Sequence, residues 1–448
     1  MERMRGLARK VRPADVRRFA VSLLPTVLAI GTQAAAFAVT ARALRAEQFG
    51  RYAAVLAVTG VCIELVGLGG SDLLVKAVAI RRAAFSAYFG NMLLLLAVTL
   101  PAVVASGVLV SLSEVGEHLS LFDVSASILG ETLVGRVAAS TELAMVAHGH
   151  LVRASSVRLT TALSRLLTAV AFFHYSSDLR HWILAVSAQC ILLSAAYIAL
   201  LRVLYGRPLW RFVRNEFGAG VAFSVNQTAR AMQTNIDRLA LAHFASDAAL
   251  GAYAAGTRLL QLGLVPIQIV TRIVYPRFFE HGLSGLRGTR KYGLQCAPAL
   301  LGVGVASAVG VALCGLFAPA LLGASFAATS ESTPLLACAL PLIALQYPAA
   351  DALTGAGYQR LRTIIFVTAA VGFGIVLVAG AAIGEVRGVI FALIGGHALL
   401  AAVLWLSLFK LPDGGATEMA EQPDARRELA SAPALMSSPA TAATTRDA

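Results

Sequence analysis

Apolar runs of roughly twenty residues recur along the whole chain, and nothing else in it restricts the fold so severely. A run of that length crosses the roughly 30 Å of hydrocarbon in a bilayer as a helix, and in lipid a helix is one of the few structures that satisfies its own backbone. Twelve such runs follow one another at about 19–40, 52–75, 84–110, 122–147, 157–175, 182–204, 217–242, 248–273, 293–321, 334–355, 362–384 and 388–409. The reading is an all-α polytopic membrane protein with about twelve transmembrane helices. Composition agrees, because only 14% of the 448 residues are charged, whereas a soluble domain carries about 25%. The run that starts at Phe19 continues to about Leu44, too long for a cleavable signal core, and reads as the first span.

The formal charge of +13 could suggest nucleic acid. The basic residues, however, sit in short clusters between the runs, as loop charge on a membrane protein does. With the N-terminus inside, inner loops collect sixteen basic residues, among them Arg202, Arg207, Arg211, Arg214, Arg287 and Lys291, against five in outer loops. That excess predicts both termini in the cytoplasm. The five cysteines all lie inside apolar runs without a CxxC spacing, so they read as small buried hydrophobes and not as metal ligands. His148 and His150 read as a solvated pair at a helix end. Residues 1–18 form a basic cytoplasmic segment, 19–204 and 217–410 two six-helix lobes, and 205–216 a cytoplasmic linker. Residues 411–448, rich in Ala, Pro, Ser and Thr, read as a disordered cytoplasmic tail.

The halves echo each other. Phe49-Gly50-Arg51-Tyr52-Ala53-Ala54 opens the second span, and Leu250-Gly251-Ala252-Tyr253-Ala254-Ala255 opens the eighth, 201 residues later. Ala147-His148-Gly149-His150 is echoed by Gly355-Ala356-Gly357-Tyr358 at an offset of 208. Repeats of six spans share one orientation, and transporters built this way bind substrate between the repeats.

Ionisable residues inside spans are expensive and need a partner or a wet cavity. Asn226, Arg230, Gln233 and Asp237 fall on one face of span seven, and Arg258, Gln261, Gln268 and Arg272 form a second polar series on span eight. Together they suggest a hydrated cavity wall. The competing reading is a seam in which Asp237 neutralises Arg258 across the hairpin. Span one adds Thr26, Gln33 and Thr40, which suit either cavity lining or interhelix bonding. Asp72 and Lys76 read as an i,i+4 ion pair, and Glu64 has no local partner. In span four, Glu131 and Glu142 lie about 20° apart with Arg136 about 140° from Glu131. That pattern, like Asp351 in span ten, fits interhelix salt bridges. Because guanidinium groups bind phosphate in bidentate fashion, Arg230, Arg258 and Arg272 favour an anionic substrate over a cationic one. Glu64, Glu131 and Asp237 are the candidate proton or cation sites. No Walker A sequence occurs, so ATP hydrolysis by this chain is not expected, and no cofactor or metal is.

The stretch Ala41-Arg42-Ala43-Leu44-Arg45-Ala46-Glu47-Gln48-Phe49-Gly50-Arg51-Tyr52 resembles the first-half arm of polysaccharide-exporting flippases of the multidrug/oligosaccharidyl-lipid/polysaccharide (MOP) superfamily. Asp237-Arg238-Leu239-Ala240-Leu241 through Gly251-Ala252-Tyr253 and Tyr275-Pro276 is similar to its second-half counterpart. The chain departs from the usual pattern at Arg45-Ala46, where many members carry Gly-Pro. The resemblance covers about residues 19–410 and implies two six-helix lobes around a central cavity, lined by spans one, two, seven and eight. It also implies alternating access in the bacterial inner membrane, and an undecaprenyl-pyrophosphate-linked oligosaccharide as substrate, an O-antigen, capsule or exopolysaccharide unit. A polysaccharide polymerase and glycosyltransferases would be its partners, along with membrane lipids; no nucleic-acid partner is expected. An ion-coupled drug or metabolite antiporter would share the fold. A membrane polymerase or ligase is disfavoured, because the longest outer segments, 111–121 and 323–333, are too short to build a catalytic domain. The chain is therefore expected to transport and not to catalyse.

Overall fold

The computed structural model describes residues 13–115 and 119–412; the expectations for residues 1–12 and for the tail from residue 413 lie outside them. Among the described residues there is no strand, and thirteen α-helices are joined by short turns. They are α1 (Pro13–Leu65), α2 (Gly70–Ile80), α3 (Phe85–Val115), α4 (Leu121–Ala147), α5 (Leu151–Tyr175), α6 (Leu179–Tyr205) and α7 (Phe217–Phe244). The chain continues with α8 (Asp247–Gly282), α9 (Gly285–Leu316), α10 (Ala318–Leu322), α11 (Ala327–Ala337), α12 (Ala339–Gly355) and α13 (Gln359–Lys410).

These helices contain the twelve expected spans. α1 holds the first two, broken at Arg45, and α13 holds the last two, broken at Gly384 and Glu385. α2 continues span two, and α11 with α12 makes span ten. Length and hydropathy alone pick out eight stretches. α1 and α13 each count once there, and α4 and α7 fall short because charged and amide side chains lower their mean hydropathy.

Two local expectations change. The outer loop expected around Arg42–Arg51 is absent, because the chain turns on Arg45 alone, at φ 60° and ψ 170°. That conformation belongs almost exclusively to glycine. The second span is not one rod either. Gly67, Leu68 and Gly69 all have positive φ and interrupt the helix between α1 and α2.

The chain forms two compact units. The first comprises the described residues of 1–265, 305–340 and 369–397. Its apolar core includes Val66, Leu74, Phe85, Phe89, Met92, Val137, Met145, Tyr197 and Leu201. Lipid tails are as apolar as leucine, so helices in a bilayer associate by close backbone approach and hydrogen bonds. α1 and α8 show such an approach where the repeat motifs meet. A Cβ on Gly50 would strike the carbonyl of Asp247, and one on Gly251 would strike the carbonyl of Ala46. Each struck carbonyl lies four residues before the other motif's glycine, so the two echoes cross as symmetric partners. Arg51 Nε donates to Asp247 Oδ2 at 2.8 Å beside them.

The second unit comprises the described residues of 266–304, 341–368 and 398–448. There the rings of Phe278 and Tyr292 meet edge-on at 4.8 Å, and Trp405 Nε1 donates to the Leu345 carbonyl at 3.0 Å. These units divide the chain differently from the lobes 19–204 and 217–410.

Candidate functional site

Three charged residues on α4 meet partners on other helices, as interhelix salt bridges would require. Glu131, at 9% exposure, receives both ends of the Arg165 guanidinium at 2.6 and 2.7 Å and the Tyr52 hydroxyl at 2.7 Å. Arg136 lies 3.4 Å from Glu64 and 3.5 Å from Asp72. Glu142 pairs with Arg158 on α5. Asp351 differs, forming no salt bridge among the described residues; its Oδ2 is buried without a hydrogen-bond partner.

These contacts correct one expectation. Asp72 does not pair with Lys76: it turns to Arg136, and Lys76 reaches Glu216 at 3.3 Å. A charge four residues away on the same helix lost to one presented by a neighbouring element. Glu131, a candidate proton or cation site, is held by this bidentate arginine. Glu64 keeps a different character, because Glu64 and Asp72 share one guanidinium and leave a carboxylate charge in excess.

α7 and α8 bring a second cluster to the same unit. Asp237 Oδ2 accepts from the Tyr253 hydroxyl at 2.7 Å, and its Oδ1 accepts from the Arg238 backbone N–H at 2.8 Å. The seam in which Asp237 would neutralise Arg258 is therefore not formed. Arg258 donates instead to Gln261 at 3.3 Å, one turn along its own helix. It keeps solvent access while lying within electrostatic reach of Tyr52, Glu131, Arg165 and Arg238. With Arg165 neutralising Glu131, Asp237 is the one carboxylate left beside Arg238 and Arg258, so this cluster carries one surplus positive charge. Arg258 sits eleven residues into α8, about 16 Å along the axis, a depth at which a bare charge is tolerated only beside water or a counter-ion.

The other expected residues are placed less tightly. Asn226 and Arg230 on α7, Gln261 on α8 and Gln33 on α1 are exposed, and Gln233 is half-buried, all in the first unit. Gln268 and Arg272 are also exposed on α8 but belong to the second unit, where Gln268 bonds Tyr347. The polar series of span eight is thus divided at Pro266, which lies inside the helix. Of the threonines flanking Gln33, Thr40 is buried and bonds the Ala36 carbonyl of its own helix at 2.8 Å.

Sequence reasoning missed Arg165, Tyr52 and Tyr253. Arg165 lies in an apolar run that looked unbroken, and its partner is thirty-four residues away. The tyrosines did carry a signal: Tyr52 and Tyr253 occupy the same position in the two echoed motifs, 201 residues apart. Each closes a buried carboxylate, Glu131 and Asp237 respectively.

With this geometry in place, comparison with known proteins identifies the relatives. Residues 16–281 match the family model described as polysaccharide biosynthesis protein. A search of curated proteins finds no match. Among solved structures, an inward-facing multidrug resistance MATE family transporter of the MOP superfamily superposes with a TM-score of 0.66 at 13% identity, over 89% of this chain and 95% of that one. An outward-facing MATE family transporter gives 0.58 at 13% identity, over 90% and 96%. A MOP superfamily transporter from Pyrococcus furiosus, described as having a binding pocket of reverse polarity, gives 0.57 at 14% identity, over 87% and 94%. The fold is that of these transporters, and the matched segment exceeds half the sequence: the chain belongs to the polysaccharide biosynthesis protein family.

Proposed function

We propose that the protein flips an anionic lipid-linked oligosaccharide across the bacterial inner membrane by alternating access, with both termini in the cytoplasm. The observation that carries this reading is Arg258, a guanidinium at membrane depth in a cluster with one surplus positive charge. A pyrophosphate supplies the missing counter-charge, and a planar guanidinium receives it in bidentate geometry. Arg230, Asn226, Gln233, Gln261 and Gln33 add polar lining. The lobes 19–204 and 217–410 are the halves that rock against each other. Glu64 with Asp72 is the place for a coupling proton or cation, because their excess negative charge has only Arg136 to balance it. Glycosyltransferases would supply the substrate and a polymerase would consume it.

A second reading is a drug or metabolite antiporter. It is favoured by the solved structures, whose descriptions name multidrug transporters. The Pyrococcus furiosus protein is described as having a binding pocket of reverse polarity that suggests a different function. Deleting the gene in its native host separates the two readings. Flipping predicts that lipid-linked oligosaccharide accumulates on the cytoplasmic leaflet and that surface polysaccharide is lost. Drug efflux predicts intact polysaccharide with heightened sensitivity to cationic dyes, and that outcome would overturn the proposal.

A further inference from the structure

A groove of about 410 Å³ in the first unit lies apart from the Arg258 cluster. Its wall is Phe89, Leu93, Leu96, Ala97 and Leu100 of α3, together with Leu133 of α4 and Ile198 of α6. Phe89 to Leu100 spans eleven residues, about 16 Å of helix. One end is different. Arg202 lines it, and Pro208 and Trp210 of the segment after α6 close it.

That segment is a strap with defined anchors. Leu209 N–H donates to the Ser86 carbonyl at 2.8 Å, and Val213 N–H donates to Asn91 Oδ1 at 2.9 Å. Gly90 lets it lie flat, since a Cβ there would strike the Leu209 carbonyl. The strap presents Trp210, 68% exposed, next to arginines, the pairing found at a membrane–water interface. Arg202, Arg207, Arg211 and Arg214 follow without an intervening acid. The next acid, Glu216, accepts from Tyr88 at 2.6 Å and from Lys76 at 3.3 Å. The Tyr88 hydrogen bond, then Lys76, holds its carboxyl below the usual range, so it stays ionised and committed to them.

We propose that this groove binds one acyl chain of an anionic phospholipid, with Arg202 taking the headgroup phosphate and the strap arginines attracting it. Basic pockets between transmembrane helices recognise anionic lipids in this way. The volume suits a single acyl chain and not the several-fold larger polyprenyl tail of a lipid-linked sugar, so the occupant is a bilayer lipid.

The test uses the purified full-length protein in detergent, with phosphatidylglycerol or phosphatidylcholine of identical chains as probes, and reads lipid retention by native mass spectrometry. Retention of phosphatidylglycerol over phosphatidylcholine is expected, roughly tenfold weaker in Arg202→Gln, where a charge-assisted contact is lost. Arg202→Lys should recover part of it. Ala97→Trp, at an exposed position in the groove wall, should abolish retention of both lipids while the lipid-free melting temperature stays at the wild-type value. Equal retention of the two lipids by the wild type, or unchanged retention in a folded Ala97→Trp, would overturn the proposal. Should Arg202→Gln fail to fold, Ala97→Trp decides alone.

Discussion

Arg165→Met removes both guanidinium contacts from Glu131 and leaves a buried carboxylate with only the Tyr52 hydroxyl. Stranding one partner of a buried pair costs about 3–5 kcal/mol. A large drop in the detergent melting temperature is expected, and adding Glu131→Gln should restore much of it. Unchanged melting of the single mutant would mean that the pair is wet and weak. Arg45 gives a prediction of opposite sign. A non-glycine residue in its conformation costs on the order of 1–3 kcal/mol, so Arg45→Gly should raise stability by about 1 kcal/mol after the extra chain entropy of glycine is subtracted. Legibility at this scale followed distance. Glu131 and Asp237 stood out because charge inside an apolar run is conspicuous. Their partners did not, because a tyrosine or a lone arginine can be assigned to an acid only once the helices are packed.

The crossing of α1 and α8 is the element on which the proposed transport cycle depends. In the proposed orientation it lies near the outer face, where Gly50 and Gly251 press backbone against backbone and Arg51 holds Asp247. A cavity opening outward must part it. A disulfide or short bis-thiosulfonate link between Arg51→Cys and Asp247→Cys, in a background lacking native cysteines, should therefore stop transport, and reduction should restore it. Transport that continues at full rate in the cross-linked protein would show that the crossing is static. The two motif echoes are legible in the sequence alone, and their offset places them in matching helices. That they touch each other is not, because a repeat fixes equivalence and leaves the axis relating the copies unspecified. The break at Gly67-Leu68-Gly69 is hidden for another reason: glycine is common in spans, and hydropathy runs straight through it.

For the molecule as a whole, the twelve spans were legible because lipid permits so few alternatives to helix; only their breaks and exact ends were not. The proposed orientation follows from basic residues such as Arg207 and Arg287 in inner loops. Single cysteines at Arg207 and Arg287 should resist an impermeant thiol reagent in intact cells, while one at Ser246 should react. Labelling at position 207 from outside would invert or break the twelve-span arrangement. The proposed transport rests on positive charge at Arg258, and a charge series at that position probes it. Purified Arg258→Lys, Arg258→Gln and Arg258→Ala should be reconstituted at equal abundance and assayed for movement of a pyrophosphate-linked oligosaccharide between leaflets. If Arg258 receives the pyrophosphate, lysine, a point charge that cannot make the bidentate contact, should retain partial activity, and glutamine and alanine should lose it with unchanged melting. Wild-type flipping by the alanine variant would contradict that role.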